Sequence, residues 1–282
     1  MIALILNILL SAGFFHVIRT AQVRGSNMMV VGAVNYVLAS ITCFAASYIV
    51  GNTQLSTETM IWGSIQGVAF IVTYYLICTT MNLSGMAIAT AFVRLSVVLP
   101  VLASVFYWGE IPSHFQVIGI VVCLVSLPLI GTRARNVGTS KKLGWRELRL
   151  VGMLFGFIGM AGIASKGFVM SGVQDAPTTF MGVLYGVAAL GALSTFLFPV
   201  WRTHSKGTFD GIKMGFMNVT SIFAYLVALD QVSGVIVFPV QAAGGILANT
   251  VFAALVWKER FIRKTLVGMG VAVVGLVLVN LK

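Results

Sequence analysis

The sequence predicts an all-α polytopic membrane protein with ten transmembrane helices arranged as two inverted five-helix repeats. Three observations predict it. First, 59% of the 282 residues are hydrophobic and only 9% are charged, against about 25% charged in a soluble domain. A water-soluble fold has no way to hide that much apolar surface. Second, the apolar runs are continuous rather than alternating. Backbone polar groups in lipid must therefore be satisfied within helices, and a β-barrel is a poor fit. Third, the stretch 84–130 aligns without a gap on 233–279, placing Ser84-Gly85 on Ser233-Gly234, Trp108 on Trp257, Glu110 on Glu259 and Gly119 on Gly268. Each copy reads as an apolar helix, a short charged turn and a second apolar helix, the mark of an internal duplication.

Taken in order, windows long enough to cross a core of ~30 Å fall at 1–18, 28–50, 59–81, 84–107, 113–131, 148–170, 177–201, 211–229, 233–256 and 262–281. The first run starts at Met1 with no basic segment before it, so it reads as a retained span rather than a cleaved signal. Spans 4, 7 and 9 carry Pro100, Pro199 and Pro239, each of which removes a backbone hydrogen bond and can kink its helix. Glycines spaced for close helix contact, Gly152 with Gly156 and Gly182 with Gly186, together with Gly268, Gly270 and Gly275, predict packing seams. Cys43, Cys78 and Cys123 lie inside apolar runs and read as small core residues. Trp62, Trp108, Trp145, Trp201 and Trp257 fall near span ends and read as interfacial anchors.

Loop charge fixes orientation. Fifteen of the 18 Lys and Arg residues sit in the loops after spans 1, 5, 7 and 9, from Arg19 and Arg24 through to Arg263 and Lys264. That face is expected to be cytoplasmic, leaving both termini extracytoplasmic. The net charge of +11 is thus absorbed by topology and does not call for nucleic acid. Residues 1–131 form the first predicted repeat, 132–147 a basic cytoplasmic linker and 148–282 the second. With five spans per repeat, the second copy enters the membrane upside down.

Ten spans in two inverted halves, with the Ser-Gly, Trp-x-Glu and Gly pattern in both, resemble the drug/metabolite transporter superfamily of EamA type. That resemblance implies a secondary transporter or exchanger that moves a small metabolite or drug through a central cavity between the repeats, without a cofactor and without nucleotide hydrolysis. No phosphate-cradling glycine-lysine loop occurs, in keeping with this. The family's turn glutamate falls on Glu110 and Glu259, where a structural role is expected, stabilised by the dipole at the start of the next helix. For Glu259, flanked by Lys258 and Arg260, a surface ion pair is an equal alternative. The related four-helix multidrug exporters use an intramembrane carboxylate. Here all seven acids, Glu58, Glu110, Glu147, Asp175, Asp210, Asp230 and Glu259, lie in loops or at span ends, which disfavours that mechanism and a cationic substrate.

Two cations do lie within spans. Arg94 is about 15 Å past Ser84 at helical rise. At that depth a charge costs at least ~2.5–3.5 kcal/mol, so lipid exposure is disfavoured. It reads either as a fork for a carboxylate or phosphate or as an arginine tied to helix carbonyls. Lys166 lies about 24 Å into span 6 and reads either as snorkelling to the outer surface or as a cavity group. Asn35, Tyr36, Gln66, Asn218 and Gln241 share a depth, with Tyr74, Tyr75 and Tyr225 nearer the cytoplasmic half. Each alone fits a helix–helix hydrogen bond, while as a set they fit a cavity for a small polar solute, anionic or zwitterionic. His16 reads as an interface histidine with a possible proton-relay role. No catalytic residue or metal ligand set emerges.

A membrane-embedded enzyme or flippase working on lipid or isoprenoid head groups would need its reactive groups at one depth, and the acids and histidines are scattered. A passive channel would need a continuous polar face. The expected setting is a bacterial inner membrane, the expected partners a small solute and the bilayer, and both a monomer and a homodimer are compatible.

Overall fold

The computed structural model describes residues 1–84, 96–131, 145–173, 175–197, 206–257 and 263–279. Among these residues there are ten α-helices and no strand. They are α1 (Ile2–Val23), α2 (Met28–Val50), α3 (Thr57–Ser84), α4 (Val98–Phe106), α5 (His114–Gly131), α6 (Trp145–Met170), α7 (Pro177–Ser194), α8 (Thr208–Gln231), α9 (Gly234–Trp257) and α10 (Arg263–Val279). Each falls on one predicted span. Six of them are long and apolar enough to cross a membrane, and the protein is a multi-pass membrane protein. The seventh span stops early as an α-helix, at Ser194, and gives way to a single 3-10 turn over Thr195–Leu197. Pro199 lies outside the described residues.

Local chemistry sets the ends. Asn27 accepts the backbone N–H of Met29 at 3.0 Å and so caps α2. Gly51 closes the same helix at φ 75°, a left-handed conformation that glycine adopts without steric cost. Pro177 opens α7 at a position where its missing N–H is no loss.

The chain gathers into two compact units, each built from both halves of the sequence. The first comprises residues 1–74 and 164–231, that is α1, α2, most of α3, the end of α6, α7 and α8. In it α2 packs on α7 and α8, and α1 packs on α8. Its centre is aromatic: Phe168 stacks on Phe180 at 4.1 Å, and Phe180, Met181, Leu184 and Tyr185 are wholly buried. Small residues set the spacing. A Cβ on Gly67 would come within 2.5 Å of the Leu184 carbonyl, and one on Gly211 within 2.9 Å of the Val31 carbonyl. The expected seam at Gly182 and Gly186 is present against Phe44 and Ser40 of α2.

The second unit comprises residues 75–163 and 232–282. Here α5 packs along α10, and α9 packs on α4, α5 and α10. Gly119 meets the backbone of Val279, and Gly275 meets Cys123, which is buried. Pro100 and Leu99 of α4 rest on Gly162 and Gly159 of α6. By contrast, a Cβ at Gly152, Gly156 or Gly270 would meet nothing within 4 Å among the described residues. A small-residue spacing becomes a seam only where a second helix lies against that face.

Glu110 holds the second unit together at one end. It leaves the α4–α5 turn beside Gly109, whose φ of 66° bends the chain back. Its Oε1 accepts the N–H of Gly234 at 3.1 Å, and its Oε2 accepts the N–H of Val235 at 3.0 Å and the hydroxyl of Ser233 at 2.9 Å. The role is structural and at a helix start, as expected, but the helix is α9 rather than the adjacent α5. The first turn of α5 is capped instead by Ser113 and Gln116, whose side chains each accept the other's backbone N–H. The glutamate instead reaches a helix start distant in sequence. The Ser-Gly of the second copy and the Glu of the first are thus two sides of one contact.

Replacing Glu110 with Ala should remove three charge-assisted hydrogen bonds from an unsatisfied helix start, at a cost of about 1–2 kcal/mol. Scanning fluorimetry of the purified protein in detergent should show a thermal midpoint several degrees lower, and Ser233→Ala a smaller drop. An unchanged midpoint in Glu110→Ala would contradict the cap.

Candidate functional site

The polar residues of the first unit form a connected set where α2, α3, α7 and α8 meet. The phenol of Tyr185 donates to Asn218 Oδ1 at 3.1 Å. Asn218 Nδ2 donates to Asn35 Oδ1 at 3.3 Å. All three are buried, Tyr185 and Asn35 completely. Tyr36, the neighbour of Asn35, stacks on Tyr185 at 6.4 Å, meets Tyr74 edge-on at 6.1 Å, and donates to the Phe70 carbonyl at 3.4 Å. Phe70 in turn packs edge-on against Tyr185. Tyr74 donates to the Met28 carbonyl and covers Gly32, the one residue type at that place that leaves room for its ring. Gly215 brings α8 onto α2, with its Cβ position 3.3 Å from the Asn35 carbonyl.

Two flanking groups extend the set. On α3, Gln66 Oε1 accepts the hydroxyl of Ser165 at 3.0 Å. Both are buried, and so is the next residue, Lys166, at 2% exposure. On α1, Asn7 Nδ2 donates to the carbonyl and the hydroxyl of Ser221 at 2.9 and 3.0 Å, and Ser11 shares that hydroxyl. Tyr225 is buried one turn further along α8.

Of the residues expected from sequence, the first unit therefore contains Asn35, Tyr36, Gln66, Tyr74, Lys166, Asn218 and Tyr225. Tyr75 and Gln241 belong to the second unit and are half-buried there. Arg94 lies outside the described residues. One expectation is overturned: Lys166 does not snorkel. Its side chain is enclosed by protein, because this end of α6 packs into the first unit and Gly167 sits directly under the Trp62 indole. Trp62 for the same reason packs on a helix rather than serving only as an interfacial anchor. Tyr185, at the centre of the network, was not singled out from sequence. It lies about 12 Å along α7 from Pro177, and the depth count that picked out Asn35 and Asn218 would have found it. Asn7 and Ser221 were missed in the same way.

Two acids of this unit, Asp210 and Asp175, are engaged near helix ends. Asp210, in the first turn of α8, accepts the Ser26 hydroxyl at 2.8 Å and lies 3.5 Å from the Arg24 guanidinium. Arg24 is 60% exposed, so that ion pair adds little. Asp175, in the α6–α7 connection, accepts both the N–H and the hydroxyl of Ser56 at 2.7 Å. Ser56 also caps the first turn of α3 through Thr59. Burial raises the pKa of Asp175, but its hydrogen bonds with Thr59 and Ser56 outweigh that and hold the carboxyl below its ordinary value.

Comparison with known proteins places this architecture. The sequence model of the EamA-like transporter family matches residues 1–132. A Haemophilus influenzae protein, described only as an uncharacterized protein, is 28% identical over 198 residues, which is 70% of this chain and 67% of that one. A solved crystal structure superposes with a TM-score of 0.81 over 99% of this chain and 95% of that chain at 16% identity, which shows a shared fold.

Because the Asp175 carboxyl is more acidic folded than unfolded, the stability it contributes is present above the unfolded carboxylate pKa near ~4 and is lost as pH falls through the folded value. The thermal midpoint should therefore fall on acidification through that range. Asp175→Asn should start lower at neutral pH and show a flatter acid dependence, and parallel curves for the two proteins would contradict this.

Proposed function

We propose that this chain, whose residues 1–132 match the EamA-like transporter family, is a secondary transporter of a bacterial inner membrane. It moves a small polar solute, anionic or zwitterionic, by alternating access between two inverted five-helix repeats, with both termini outside. The observation that supports the choice of solute is the placement of the buried charges. Among the described residues, the charged side chains under a tenth exposed are Lys166, Asp175 and Asp210. The two acids are engaged by Ser56 and by Ser26 and Arg24 at the ends of helices. The cation follows Ser165, whose hydroxyl bonds Gln66, within a helix of the unit that holds the amide and phenol network. A solute bearing a carboxylate or phosphate suits such an interior, and a cationic drug does not.

The packing supports the repeat. A shift of five helices carries α2 onto α7, α4 onto α9 and α5 onto α10, and each of these pairs is in contact. A twofold axis in the membrane plane would bring equivalent helices together in this way. In this reading Lys166 and Arg94 attract the anionic group. The amides of Asn35, Gln66, Asn218 and Gln241 orient the rest of the solute, and Tyr36, Tyr74, Tyr75 and Tyr225 line the path toward the cytoplasm.

The test is uptake into proteoliposomes of radiolabelled amino acids and short-chain carboxylates. Lys166→Gln and Arg94→Ala should each slow uptake of anionic solutes at least tenfold, the scale of one lost charge-assisted hydrogen bond, while leaving the purified protein folded. Wild-type rates in both variants would remove the positive site from the account.

A further inference from the structure

The network described above has an open end. Tyr185 donates its single proton to Asn218 Oδ1, which turns Asn218 Nδ2 toward Asn35 and obliges Asn35 to present Oδ1. Reversing both amides would leave the buried phenol proton without that acceptor. With this polarity Asn35 Nδ2 has no hydrogen-bond partner among the described residues, although Asn35 is completely buried. A second buried group of the same unit is in the same state among the described residues, the Thr73 hydroxyl. Thr73 stands one turn along α3 from Phe70, which packs on Tyr185 and accepts from Tyr36. Other helical threonines of this chain do not behave so: Thr20, Thr42 and Thr220 each return the hydroxyl to the carbonyl four residues back, at 2.8 to 2.9 Å. Buried donors without acceptors are rare and costly, on the order of 1–3 kcal/mol each. Two of them in the unit that holds this aromatic cluster call for an oxygen that the described residues do not supply.

We propose that Asn35 Nδ2 and the Thr73 hydroxyl are the hydrogen-bonding subsite for an acceptor oxygen of the transported solute, and that Tyr185 is the positioning residue that fixes its polarity through Asn218. The aromatic wall of Tyr36, Phe70 and Tyr185 then meets the apolar part of the solute. This rests on the transporter reading and deepens it: the subsite selects a carbonyl, carboxylate or phosphate oxygen and rejects a donor such as an ammonium group. A resident buried water offers the same chemistry, and the experiment separates the two.

Uptake kinetics of radiolabelled amino acids and short-chain carboxylates in proteoliposomes form one arm. Asn35→Asp replaces the donor by an acceptor and should raise KM about tenfold or more with Vmax little changed. Tyr185→Phe keeps the shape but frees the relay to reverse, and should raise KM in the same sense. A purely structural Tyr185 would lower the amount of folded protein without moving KM. The second arm needs no solute. The triple variant Asn35→Leu, Asn218→Leu, Tyr185→Phe removes every member of the relay together. Its thermal midpoint should equal or exceed that of the parent, since a relay kept for a ligand adds nothing to the empty fold. A lower midpoint, or KM values unchanged in both single variants, would overturn the proposal and assign the open end to packing or to a fixed water. A wild-type protein that accumulates none of these solutes would count against the transporter reading, while the stability arm would still decide the relay.

Discussion

Within a bilayer a polar group has no water to fall back on, and the arrangement of this protein follows from that constraint. Three of its seven acids are held by donors at helix starts or in the turns before them: Glu110 by the first N–H groups of α9, Asp175 by Ser56, Asp210 by Ser26 and Arg24. Its amides sit where helices cross, Asn7 on Ser221, Gln66 with Ser165, Asn218 on Asn35. Each contact joins residues distant in sequence and so fixes which helices are neighbours. Apolar packing against lipid-like surfaces has little preference of its own, and small residues then decide how closely the chosen neighbours approach. Gly67 on α7, Gly211 on α2 and Gly119 on α10 do this here.

The same constraint gives meaning to the duplicated motif. Ser-Gly opens a helix with unsatisfied N–H groups, and the glutamate of the Trp-x-Glu turn supplies the acceptor. In the contact that is seen, the two come from different copies, Glu110 from the first and Ser233-Gly234 from the second. In that contact the glutamate of one aligned stretch is joined to the Ser-Gly of the other.

Helix positions were legible in the sequence because hydropathy and loop charge are local signals. All ten helices fall on their expected spans, and the ends differ where capping chemistry intervenes, as at Gly51 and at Ser194 with its 3-10 extension. Partners were not legible. Glu110 was expected at a helix start, but nothing local says that Ser113 and Gln116 already occupy the near one. The spacing of Gly152 and Gly156 is as good as that of Gly182 and Gly186, yet among the described residues only the latter pair has a helix against it. Lys166 has the stem length to reach an interface, and only the packing of α6 beside Gln66 and Trp62 shows that it is enclosed. For the candidate site, the depth count singled out Asn35, Tyr36, Gln66 and Asn218, which lie in one unit, together with Gln241, which lies in the other, and it was not applied to Tyr185, whose bond to Asn218 only the packing of α7 and α8 reveals.

The function proposed for this protein is that of a carrier receiving an anionic or zwitterionic solute. Counterflow tests this most directly. Proteoliposomes loaded with an unlabelled amino-acid and carboxylate mixture, then diluted into a trace of labelled solute, should accumulate label transiently above its equilibrium level, because one alternating site returns loaded faster than empty. Label that only equilibrates, at a rate indifferent to the internal solute, would contradict alternating access and with it the central claim.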